Sequence, residues 1–236
     1  MSRFFGDATS EYAHSVYEAV DRGLDLEKVH RLTLGRYTTH ALLDDPKRFG
    51  FMTARHKFVG KMLTGFDRVL EVGCQEGFTS LLISQHVKHL VATDYFRDHI
   101  AEAQKYIGPY VKNVEFRGHD IIDGPVDGAF DGAFSLDVLE HIDPKQEDRY
   151  MENVAASLKP DGVFIVGMPS LESQLYASKA AAAGHINCKQ GPVLKQLCHR
   201  YFRNSFLFGL NDEVLHTGFS PMCHYVFVMC VAPRRG

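Results

Sequence analysis

The 236-residue sequence has no tryptophan, only five cysteines, almost no net charge and no apolar run long enough to span a membrane. Each shortage excludes something. A formal charge of −3 sets up no field that would gather polyanions. The basic residues Arg36, Lys47, Arg48, Arg55, Lys57 and Lys61 are scattered rather than striped with aromatics, so no nucleic-acid or membrane partner is expected. The opening residues Met1 to Asp7 carry no apolar core of a secretory leader, and a cytoplasmic protein is the expectation. The cysteines (positions 74, 188, 198, 223 and 230) are odd in number and lack the spacing of a secreted framework, so they are read as reduced thiols. The pairs His185 with Cys188, Cys198 with His199 and Cys223 with His224 are spread too widely for a zinc site, and no metal is expected. There is no internal repeat, low-complexity segment or linker.

What is present centres on residues 69–78, Val-Leu-Glu-Val-Gly-Cys-Gln-Glu-Gly-Phe. Arg68 to Val72 reads as a buried parallel strand, the chain turns from Gly73, and a helix restarts at Gly77 and runs from Phe78 to Lys88. A second apolar run, His89 to Thr93, ends in Asp94, whose carboxylate suits two ribose hydroxyls. Strand, glycine turn and helix form a unit that nucleotide-like ligands use: Gly73 permits the sharp turn, and Gly77 leaves room for ligand at the helix start. The pattern Glu71-x-Gly73-x-x-x-Gly77 lacks the middle glycine of a dinucleotide site. Acids at 71 and 76 would repel a pyrophosphate and welcome an ammonium or sulfonium.

This spacing resembles the Glu-x-Gly-x-Gly-x-Gly motif of class I S-adenosylmethionine (SAM)-dependent methyltransferases, and departs from it at Gln75, where a side chain would crowd the methionine end of the ligand. Three further segments extend the likeness over roughly residues 55–170. They are Val114 to Arg117 closing on Gly118-His119-Asp120-Ile121, Phe130 to Ile142 (a fourth strand and its exit), and Leu158-Lys159-Pro160-Asp161-Gly162 ahead of a strand from Val163 to Gly167. The tail beyond is loosely similar to the ubiquinone-biosynthesis type of O-methyltransferase. The resemblance implies SAM as cofactor and S-adenosylhomocysteine as product. It puts Glu71 on the methionine ammonium, Gly73, Gln75 and Gly77 in the ligand loop, Asp94 and Tyr95 at the ribose, Asp120 and Ile121 at the adenine, and Asp137 at the exit of the fourth strand.

The expected architecture is α/β: a Rossmann-like, seven-stranded, mostly parallel sheet with helices on both faces. The resemblance implies a seventh strand (His224 to Val231) running antiparallel between the fifth and the sixth (Phe206 to Phe208). Residues 1–64 read as a helical appendage, a lid or a pairing surface for a second subunit, with a helix from Glu11 to Arg22 capped by Ser10 and another from Lys47 to Leu63. Residues 65–236 form the methyltransferase domain.

Open α/β sheets bind ligands beyond the carboxyl ends of their strands. This edge carries His141, His185 and His216 as candidate bases for a hydroxyl acceptor. Each has a plainer reading. His141 also suits a turn cap. His185 follows the helix-forming run Ala177 to Ala183, so Gly184 could cap that helix and His185 could answer its dipole, with Asn187 the orienting amide in the catalytic reading. His216 sits in a polar hairpin with Asp212 and Glu213, and His224 reads as a core histidine. The functional expectation is methyl transfer to a small polar acceptor, most simply a hydroxyl of a sugar or natural-product intermediate. The alternatives are an N-methyltransferase on a small amine and a SAM-fold protein that binds without catalysis.

Overall fold

The computed structural model describes residues 10–23 and 32–235. It divides into two units, Met1–Thr33 and Leu34–Gly236. The first contains helix α1 (Ser10–Gly23), where Glu18 pairs with His14 and Arg22, each one turn away. The expected Ser10 cap and the Tyr12 side chain lie outside the described side chains.

The second unit is an eight-stranded sheet of order β3-β2-β1-β4-β5-β8-β6-β7. Its strands are β1 (Arg68–Val72), β2 (His89–Asp94), β3 (Val114–Gly118), β4 (Phe130–Leu136), β5 (Leu158–Pro169), β6 (Phe202–Asn211), β7 (Val214–His216) and β8 (Tyr225–Pro233). The five strands β1 to β5 run parallel, and β8 lies antiparallel between β5 and β6. The antiparallel strand therefore sits where the resemblance implies. The sheet has one strand more than expected, because the polar hairpin closes: Asp212 takes a left-handed conformation (φ 51°), and Val214–His216 folds back onto Gly209–Asn211. A two-residue turn with positive φ matches the natural twist of a hairpin, and aspartate tolerates it.

Alternation along the strands splits the core. Leu70, Val72, Ala133, Phe164 and Val166 face helices α6 (Glu147–Ser157) and α8 (Gly191–Tyr201). Val69, Ala92, Phe134 and Ile165 face α3 (Lys47–Met62), α4 (Phe78–Ser84) and α5 (Arg97–Tyr106). Helix α4 stops at Ser84, short of the expected Lys88. Helix α2 (Arg36–Asp44) precedes α3, and both belong to the same unit as the sheet.

Candidate active site

At the carboxyl edge of β1, β2, β3 and β4 the structure encloses a cavity of about 670 Å³. Its floor is the turn after β1. The amides of Gly73 and Cys74 both donate to the Thr93 carbonyl (2.8 and 2.9 Å), and the Gln75 amide donates to Asp94 Oδ2 (2.8 Å). The loop is thereby tied over the end of β2. Gly73 (φ 87°), Gln75 (φ 50°) and Gly77 (φ 75°) all adopt left-handed backbone, which explains why glycine is the usual residue at the middle position; Gln75 holds it with its side chain exposed. A left-handed non-glycine costs about 1–2 kcal/mol. Gly77 serves packing rather than ligand access, since a Cβ there would lie 2.6 Å from the Phe116 ring and 3.0 Å from Ala103 Cβ. It is not on the cavity wall.

The two acids of the motif are internal. Glu71 points from β1 toward α4, is 2% exposed, and accepts a hydrogen bond from Ser80 Oγ at 2.5 Å. Burial pushes its carboxyl up to about 8, against the pull of the Ser80 bond. It lies beneath the loop, off the cavity wall. Glu76 caps α2: its carboxylate accepts from Tyr37 N (2.9 Å), Thr38 N (3.1 Å) and Thr38 Oγ1 (3.2 Å). A carboxylate at a helix N-terminus answers both the free amides and the dipole. So Glu71 is not placed to repel a pyrophosphate directly, contrary to the electrostatic argument made from sequence, whereas Glu76 reaches the cavity wall with its carboxylate already engaged at the start of α2.

The wall itself makes that argument instead. Five carboxylates line the cavity (Glu76, Asp94, Asp120, Asp137 and Asp143), and none of its described lining residues is lysine or arginine. Such a lining disfavours a phosphate and suits a ligand bearing an ammonium and a sulfonium. Asp94, 8% exposed, also accepts from Phe96 N (2.8 Å) and lies 3.2 Å from His99 Nδ1. Tyr95 is exposed at the rim. Asp120 accepts from Ile122 N (2.8 Å), and Ile121 and Ile122 give the wall beside it an apolar face.

Residues 69–162 match the family described as a methyltransferase domain. That is the region built around this cavity. The match bears out the methyltransferase resemblance for that stretch of the chain. It is 28% identical over 102 residues to a nodulation protein S of Azorhizobium caulinodans, a match covering 43% of this chain and 48% of that protein. It is 27% identical over 121 residues to a probable S-adenosylmethionine-dependent methyltransferase of Mycolicibacterium smegmatis, covering 49% and 44%. The chain thus spans about half the length of these two relatives. Among solved structures, the N-methyltransferase NodS of Bradyrhizobium japonicum in complex with S-adenosylhomocysteine shares the fold, with a TM-score of 0.61 at 16% identity, covering 82% of this chain and 91% of that one.

The second end of the cavity lies past β4. Asp137 (φ 56°) is held by both carboxylate oxygens to Arg55 Nη1 (3.1 and 3.0 Å), and the Arg55 guanidinium stacks on Tyr225 at 3.8 Å. Nothing in the sequence singled out Arg55, because its partner is 82 residues away. From α3, Met52 and His56 also line the wall. Burial lowers His56 to about 4, so its imidazole is neutral and Nδ1–H donates to the Met52 carbonyl (2.8 Å).

Of the candidate bases, the structure brings two together. His141 lines the cavity and sits 5.2 Å, ring to ring, from His185. The juxtaposition has a local cause. Ser178 caps helix α7 (Lys179–Gly184) by accepting from the Ala181 amide, the helix ends at Gly184, and the Asn187 amide then donates to the Glu140 carbonyl (2.9 Å). His141 Nδ1 donates to the Gly184 carbonyl, and His185 Nδ1 to the Gln174 amide oxygen, both at 2.8 Å. The orienting amide is therefore that of Gln174. Asn187 instead donates to Glu147 Oε2 (3.1 Å). Since carbonyl oxygens only accept, each ring carries a proton on Nδ1, and Nε2 is the nitrogen left over for another partner. Burial and the neighbouring His141 lower the His185 pKa, which keeps it neutral. His216 does not join them: it lies on β7, off the cavity wall, with Nδ1 accepting from Gly218 N (3.0 Å). His224 packs on Phe51.

Proposed function

We propose that this protein transfers the methyl group of SAM to a hydroxyl of a small polar acceptor. The observation that carries the reading is the pair of oriented imidazoles at one end of the cavity, His141 on its wall and His185 packed ring to ring against it. Bound there, SAM supplies a methyl group on a sulfonium leaving group. Asp94 holds the ribose hydroxyls beside Tyr95, Asp120 meets the adenine amine, and Ile121 packs on the ring. The backbone of Gly73 and Gln75 flanks the methionine portion, and the acidic lining complements its positive charge. Glu71 supports that loop from below. Asp137, fixed by Arg55, sets the boundary between cofactor and acceptor.

A hydroxyl must lose its proton as its oxygen takes the methyl group. His185 Nε2 accepts that proton, and the Gln174 amide oxygen on Nδ1–H stabilises the imidazolium that forms. A base of this kind contributes about a hundredfold or more to turnover. Replacing it by His185→Ala should therefore cut turnover by that factor while S-adenosylhomocysteine binds as before. Normal turnover per folded molecule would return His185 to a structural role.

An amine acceptor is the second reading. It is favoured by the carboxylates Asp137 and Asp143 on the cavity wall, which would hold an ammonium, and by the N-methyltransferase activity named for NodS. Acceptors offered as matched hydroxyl and amine pairs, with S-adenosylhomocysteine release as readout, decide between them. A thermal-shift comparison of S-adenosylhomocysteine with NADH tests the cofactor itself: a shift with NADH alone would overturn the proposal.

A further inference from the structure

The Glu140–His141–His185 cluster contains a feature that proton transfer does not explain. Glu140 is 0% exposed, yet neither carboxylate oxygen has a hydrogen-bond partner among the described residues. A buried carboxyl group without a hydrogen-bond partner is costly to keep, and a bound ion that pairs with it is one explanation. One donor atom of each of Glu140, His141 and His185 lies within 4.8 Å of the other two. Both imidazoles are oriented by carbonyl acceptors on Nδ1, the outer-sphere arrangement that fixes a metal-binding histidine with Nε2 free.

We propose that Glu140, His141 and His185 bind a divalent transition-metal ion at the acceptor end of the cavity. Two imidazole nitrogens with one carboxylate select an ion of borderline softness, such as Zn²⁺, Mn²⁺, Fe²⁺ or Co²⁺, over the oxygen-seeking Mg²⁺ and Ca²⁺. Three protein ligands leave coordination positions open. His141 is on the cavity wall, so the site adjoins the space an acceptor would enter. There the ion's charge lowers the pKa of a coordinated hydroxyl, whose proton leaves to solvent, and the imidazoles act as ligands in place of the base. That role rests on the methyltransferase reading; the binding site does not.

The test is a Co²⁺ titration of chelator-treated, full-length protein, read by visible absorption. Uptake of one Co²⁺ per chain is expected, with bands stronger than those of aqueous Co²⁺. Glu140→Gln and His185→Ala should each weaken it at least tenfold, and His199→Ala, at an exposed position on α8, should leave it unchanged. The thermal shift with S-adenosylhomocysteine should survive in both cluster variants, which shows that they remain folded. No uptake by the wild type, or equal uptake by Glu140→Gln and His185→Ala, overturns the proposal. Co²⁺ uptake in a protein that ignores S-adenosylhomocysteine would uphold the site while removing the methyltransferase reading.

Discussion

Glu71→Gln tests the electrostatics of the loop directly. The wild-type carboxyl is buried against Ser80 and its pKa is pushed up to about 8, whereas in the unfolded chain it returns to the model-peptide value near 4.5. Because the folded pKa is the higher one, the folded chain keeps a proton that the unfolded chain releases. Stability is therefore full below about pH 4.5 and falls as pH rises, levelling off above about pH 8. Integrating the two titrations between about pH 5.5 and about pH 8.5 gives a loss of about 3 kcal/mol from this one group. Glutamine has nearly the same shape, can accept the Ser80 hydroxyl and does not titrate. Urea unfolding of both proteins at the two pH values isolates the term, since every other titrating group is common to both. The variant should gain about 3 kcal/mol on the wild type between the lower and the higher pH. Parallel pH dependences would refute the reasoning and mean that Glu71 ionises normally in the folded protein.

Three further outcomes follow from the same geometry. Asp94→Ala should weaken S-adenosylhomocysteine binding by about 1.5–3 kcal/mol by calorimetry, because a charged acceptor is lost; unchanged affinity would remove Asp94 from the ligand. Gly77→Ala combines a left-handed backbone with a Cβ driven toward Phe116, and should cost about 2–4 kcal/mol in urea unfolding. An unaltered midpoint would show that the turn has room to relax. Glu76→Ala removes the acceptor of three hydrogen bonds at the start of α2, an expected loss of about 2–3 kcal/mol that Glu76→Gln should only partly reproduce. Equal stability of the alanine variant and the wild type would rule out the cap.

The β1–turn–α4–β2 unit and its ligand edge were legible in the sequence because their causes are local. An apolar strand, a glycine that accepts positive φ, and an acid at the end of the next strand all follow from neighbouring residues. Gly77 was visible as a glycine but not for its reason, since Phe116 and Ala103 reach it from β3 and α5. The eighth strand was hidden in a polar hairpin whose Asp212 turn gives no apolar signal. Glu76 was read as charge near a ligand and proved to be the cap of a helix lying nearly forty residues earlier in the chain.

Sequence alone determined the fold class, the strand–glycine-turn–helix loop and the position of His141 in the connection that leaves the fourth strand, through hydrophobic alternation and backbone constraints that act over a few residues. Only the tertiary structure decided which charges meet. It set Arg55 on Asp137, Gln174 behind His185, and His185 beside a buried Glu140 that sequence gave no reason to pair with it. Those encounters depend on how α3, α7 and the exit of β4 pack against the sheet, and packing joins residues whose separation along the chain carries no pattern.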